Sequence, residues 1–146
     1  MSNPETLENW FEYFVRVHPH HTDYAGVVWH GTYLTWMEEA RIAAFRSVGI
    51  EFADLVEWQC DLPVIHLTID YHLPLALGQV ALVRSCLHRV ERVRMHWIQQ
   101  IQSGESQRAH VTAQLTLVPV NRTQGRIIRK FPPCLKNAIA QLHPSE

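Results

Sequence analysis

Within His20-His21-Thr22-Asp23-Tyr24-Ala25-Gly26-Val27-Val28-Trp29-His30-Gly31-Thr32-Tyr33-Leu34 a single carboxylate, Asp23, stands ahead of a stretch with helical spacing. A carboxylate beside the positive end of a helix can do chemistry on an acyl group, because the same helix end can hold the developing oxyanion. Asp is also a common helix cap, but Asp23 lies about eight residues before the helix proper, too far to cap it simply. Gly26 and Gly31 read as turn glycines, and Gly26 would also let the backbone approach a ligand closely. A second acid, Glu38, falls within the helical stretch, where it either joins the chemistry or pairs with Arg41 three residues on. Trp29, Tyr33 and Trp36 suit an acyl pocket or a plain core. The ten histidines include His18, His20 and His21, but Pro19 interrupts them and no metal-ligand spacing follows.

Two elements must position these groups. Upstream, Asn9 to His18 reads as a strand with Tyr13, Val15 and Val17 on one side, ended by Pro19. Downstream, Tyr33, Met37, Ala40, Ala44 and Val48 recur at helical spacing from Gly31 or Thr32, and Gly49 marks the stop. Alanines 40, 43 and 44 allow close approach of a sheet. A short helical turn is expected over Phe52 to Trp58. Strands follow at Leu62 to Leu73, Gln79 to Arg89, Met95 to Gln102 and Ala109 to Val120, with a terminal helix over Cys134 to Leu142. Residues 1 to 8 bury little and read as a lead-in. One early helix followed by antiparallel strands means an α+β domain spanning residues 1–146. One helix cannot cover a five-stranded sheet alone, so at least a homodimer is expected.

The totals narrow the class. The 146 residues are 47% apolar and 18% charged, as in a globular chain. Thirteen Lys and Arg against fourteen Asp and Glu give a net charge of −1, which argues against nucleic acid as a partner. No apolar run reaches the ~20 residues of a membrane span. The polar N-terminus is not a signal peptide, and three unpaired cysteines (Cys60, Cys86, Cys134) read as reduced, buried thiols of a cytoplasmic protein.

The string from Asp23 to Leu34, continued by Trp36-Met37-Glu38-Glu39-Ala40-Arg41, resembles the signature of hotdog-fold acyl-CoA thioesterases of the 4-hydroxybenzoyl-CoA thioesterase type. Leu62-Pro63-Val64-Ile65, with Tyr71, Pro74 and Gly78 beyond it, is a second match, and the likeness spans roughly residues 11 to 120. The resemblance implies an antiparallel sheet of about five strands wrapped around one long central helix. It implies protomers paired into one continuous sheet, with active sites at the subunit boundary and pairs forming homotetramers.

The same resemblance places the catalytic carboxylate at Asp23, with Glu38 as the alternative acid, and the oxyanion donor at the backbone N–H of His30. It places Gly26, Trp29 and Tyr33, with Pro63, Val64 and Ile65 across the boundary, around the acyl group. Arg92 and Arg94, with Arg89 beside them, fall where relatives bind the phosphates of coenzyme A, which is part of the substrate rather than a cofactor. Asp23 would attack the thioester or activate a water. Aromatic acyl groups such as hydroxybenzoyl or dihydroxynaphthoyl, and short to medium aliphatic ones, both fit, as does an acyl-carrier-protein thioester. A non-catalytic acyl-binding protein would not need Asp23. A dehydratase would need His66 or His72 to reach it.

Overall fold

The computed structural model describes residues 9–143. Strand β1 (Phe11–Arg16) leads through a short 3₁₀ turn (Pro19–His21) and a loop into helix α1 (Thr32–Ser47). Then come α2 (Phe52–Glu57), β2 (Cys60–Asp61), β3 (Val64–Tyr71), β4 (Val80–Glu91), β5 (Arg94–Ser103), β6 (Ala109–Leu117), β7 (Val120–Asn121) and α3 (Pro133–Leu142). Five strands form one antiparallel sheet in the order β1-β4-β5-β6-β3, and β2 pairs with β7 apart from it. The small β2–β7 pair escaped the sequence reading because two-residue strands carry no periodicity.

Strands β4, β5 and β6 are linked in sequence order, but β3 and β4 are not a hairpin. They lie at opposite sides of the sheet. The chain between them crosses past the Asp23 loop, where Leu77 N–H donates to Gly26 O at 3.0 Å and Val28 N–H donates to Leu75 O at 2.8 Å. β3 therefore ends as a free edge, and Ile65, Leu67 and Tyr71 on it are 45%, 37% and 48% exposed.

Helix α1 buries Tyr33, Trp36, Met37, Ala40, Ala44 and Phe45 against the inner sheet face. Ala40 and Ala44 have no exposed surface, which lets β4 approach the helix axis. Removing a buried aromatic such as Trp36 would cost about 3–5 kcal/mol. The helix stops where Gly49 takes φ +90°, a conformation unfavourable to side chains. Gly49 N–H then returns to Arg46 O and Ile50 N–H to Phe45 O, both at 3.0 Å, while Ile50 and Phe45 are buried in one cluster. At 16 residues α1 is one of three α-helices among the described residues, and α3 closes the far end of the core with Leu135, Ala138 and Ile139.

Two expectations need correction. Arg41 does not pair with Glu38. It turns inward to Gln99 on β5, because the helix face it occupies is partly covered by the sheet. Cys134 is exposed at the start of α3, whereas Cys60 and Cys86 are buried, and burial pushes the Cys86 thiol up to about 11. Residues 1 to 8, read as a lead-in, lie outside the described residues.

Candidate active site

The loop before α1 is built as a small hairpin whose two arms carry Asp23 and His30. Thr22 bridges Val28, Asp23 N–H donates to Val27 O at 2.9 Å, and Gly26 takes φ +81° to close the turn. The Asp23 carboxylate is half-buried and accepts the Ala25 N–H at 2.8 Å. It makes no ion pair among the described residues, so one oxygen and the lone pairs beyond that turn stay available. The carbonyl of His21 then ties the loop to the helix, accepting Trp29 N–H and Thr32 Oγ1–H, each at 3.0 Å.

The mouth of α1 is uncapped. Gly31 occupies the N-cap position and no acid stands in the first turn. Among the described residues neither His30 N–H nor Gly31 N–H finds an acceptor. Two oriented donors at the positive end of a helix are a ready site for a negative oxygen. Beside them a cleft of about 270 Å³ is lined by Val28, His30, Tyr33, Tyr71, His72 and Pro74. Tyr33 is anchored there, its hydroxyl accepting Leu75 N–H at 3.3 Å, and burial raises its phenol above the usual range.

The other expected residues scatter more widely. Trp29 is half-exposed and lies over the turn, its ring 4.8 Å from that of His30. Glu38 is exposed on α1 and neither it nor Asp23 lines the cleft. Pro63, Val64 and Ile65 are exposed at the start of the free β3 edge. Arg89 sits 2.9 Å from Glu91 in an exposed ion pair of little energetic weight, and Arg92 forms the β4–β5 tip at φ +55°. Arg92 and Arg94 are exposed and without an ion pair among the described residues.

Among the other histidines, His72 bonds Thr112 Oγ1 at 2.9 Å. By strand alternation His66 points away from the Ile69 face, and neither histidine makes a hydrogen bond or ion pair to Asp23 among the described residues. The rings of His18, His20 and His21 lie 4.0–5.8 Å apart, and no metal-holding group is present among the described residues. Sequence reasoning gave Tyr71 no role in the site, naming it only at a strand end within the second family match. Its aromatic type just ahead of Pro74 was the one signal the sequence offered.

Residues 17–139 match the thioesterase-like superfamily. The chain belongs to that superfamily. This thioesterase is accordingly a thioester hydrolase. It is 47% identical over 135 residues to the Synechocystis protein named "Putative esterase sll0410", covering 92% of this chain and 81% of that one. It is 27% identical over 117 residues to the acyl-CoA thioesterase YbgC of Haemophilus influenzae, covering 80% and 86%. Among solved structures, Slr0204, a 1,4-dihydroxy-2-naphthoyl-CoA thioesterase from Synechocystis, has a TM-score of 0.83 at 26% identity, covering 92% of this chain and 99% of that one. The five-stranded antiparallel sheet with α1 against it is the hotdog thioesterase fold.

Proposed function

We propose that this thioesterase hydrolyses acyl-CoA, with Asp23 as nucleophile or general base and the His30 amide as oxyanion donor. The observation that carries the reading is the uncapped start of α1, whose free amides lie on one arm of the hairpin and Asp23 on the other. A thioester carbonyl resting on those amides develops negative charge where donors already point, so no reorganisation is needed at the moment of reaction. Attack at the carbonyl carbon breaks the C–S bond. The thiolate leaves readily, which suits a site with one carboxylate.

The relatives named as acyl-CoA thioesterases support coenzyme A as the carrier, and Arg92 and Arg94, free of ion pairs among the described residues, are the proposed phosphate contacts. Trp29, Tyr33 and the cleft beside them favour a flat aromatic acyl group, of the 4-hydroxybenzoyl or dihydroxynaphthoyl kind, over an aliphatic chain. The free β3 edge with its exposed apolar side chains supports pairing with a second copy, and on to a tetramer. That pairing would bring Pro63, Val64 and Ile65 to the neighbouring site.

The test is a panel of aromatic and aliphatic acyl-CoA and acyl-carrier-protein thioesters, with thiol release followed. Aromatic acyl-CoA should be turned over with the highest kcat/KM. Absence of thiol release from every acyl-CoA would remove the proposal.

A further inference from the structure

The peptide groups at the mouth of α1 are not all held by the helix itself. In an uninterrupted helix the carbonyl of His30 would accept from Leu34. Instead Leu34 N–H turns to Gly31 O at 3.2 Å, and His30 O accepts the hydroxyl of Tyr71 at 3.0 Å, from the end of β3. In a trans peptide the C=O and the following N–H lie antiparallel in one plane. Fixing the His30 carbonyl therefore fixes the direction of the Gly31 N–H, which has no acceptor among the described residues. The neighbouring His30 N–H is set differently, because the Trp29 carbonyl that shares its plane accepts Thr32 N–H at 2.9 Å. Tyr71 is itself lodged, its ring 5.7 Å from that of Tyr33, and both line the cleft.

We infer that Tyr71 is a positioning residue that aims the Gly31 amide as a second oxyanion donor beside that of His30. The inference rests on the acyl-CoA thioesterase reading above. As attack places negative charge on the thioester oxygen, both amides donate to it; as the carbonyl re-forms, the C–S bond breaks and the sulfur leaves with the electron pair. Tyr71 transfers no proton in any step. Its hydroxyl only holds a peptide plane.

Tyr71→Phe removes that hydrogen bond alone, and since the side chain is 48% exposed the variant loses no core packing. With the acyl-CoA that the wild type hydrolyses best, kcat should fall roughly 10- to 100-fold while KM stays within about twofold. In amide NMR spectra the Gly31 nitrogen should shift, because the carbonyl in its own peptide group has lost a donor, while Val17 and Gly104, bonded elsewhere in the sheet, should not. A kcat within about twofold of wild type, or a loss confined to KM, would overturn the role. If the wild type releases no thiol at all, the substrate reading fails and the spectra decide alone: an unmoved Gly31 resonance then refutes Tyr71 as the group that orients this amide.

Discussion

Arg41 Nη1 donates to Gln99 Oε1 at 2.9 Å, and the same glutamine's Nε2 donates to Met37 O at 3.0 Å and Ser85 Oγ at 2.7 Å. Gln99 has no exposed surface, so one amide joins α1 to β4 and β5 under the helix. Burial lowers the Arg41 guanidinium to about 10, with Glu38 opposing that shift only in part. Gln99→Leu leaves a mostly buried cation without its acceptor and the Ser85 hydroxyl without its donor, and should cost about 2–3 kcal/mol in urea denaturation. Arg41→Met alone should also destabilise. The double variant should lose clearly less than the sum, since an apolar pair of similar volume replaces the polar one. Strict additivity would show that the contact carries no coupling.

The two acids make opposite predictions. Asp23 stands on one arm of the hairpin and the free amides follow the other, whereas Glu38 is exposed on α1 with no ion pair among the described residues. Asp23→Asn keeps the turn, because the Asn oxygen still accepts Ala25 N–H, but removes the charge. We expect kcat to fall by roughly 10²–10⁴ with the thermal midpoint nearly unchanged. Glu38→Gln should retain most of its activity. An inactive Glu38→Gln beside an active Asp23→Asn would transfer the acid role to the helix.

A pH dependence of stability should arise at His21. Its Nδ1 accepts His18 N–H at 2.9 Å, which requires that nitrogen unprotonated. Burial, then the neighbouring His20 and His18, lower its pKa, while Glu39 opposes them. The folded state thus binds the proton more weakly than the unfolded chain. Stability is intact above the ordinary histidine value near 6.5 and is lost as pH falls through it toward the depressed value. His21→Asn supplies an uncharged acceptor for the same N–H. Denaturation midpoints between pH 5 and 8 should fall less toward acid in that variant, and an unchanged slope would assign the effect elsewhere.

How far the sequence carried depended on range. Periodicity located every long strand and α1, and Gly49 marked the helix end because its left-handed conformation leaves a residue-type signature. The Asp23-to-Gly31 string held both arms of the candidate site. What stayed hidden were contacts across the fold: Gln99 under Arg41, Tyr71 on the His30 carbonyl, and β3 crossing to the far edge. Each joins residues about forty or more positions apart, or fixes strand neighbours, and no local pattern encodes either.

Pairing through β3 makes its own prediction. Leu67 is 37% exposed on an unpaired edge strand. Leu67→Lys places a charge where a second copy would cover it. Sedimentation should show the wild type as a dimer or larger and the variant shifted toward monomer, with activity lost in proportion. A wild type that sediments as a monomer would rule this interface out.

The tightest local constraint lies at Gly31. Its backbone (φ −74°, ψ −24°) is ordinary helix that alanine adopts freely, so any penalty there must come from space. A Cβ would sit 2.1–2.7 Å from three ring atoms of Trp29. Gly31→Ala must therefore push the half-exposed indole off the turn that carries both amides. The expected result is altered tryptophan fluorescence and reduced kcat with little change in stability. The decisive comparison is Gly31→Ala in a Trp29→Leu background. If the indole is the obstacle, adding the methyl group there should change kcat far less than it does in the wild type, whereas an equal loss in both backgrounds would mean that the methyl group itself blocks the amide-lined mouth of α1.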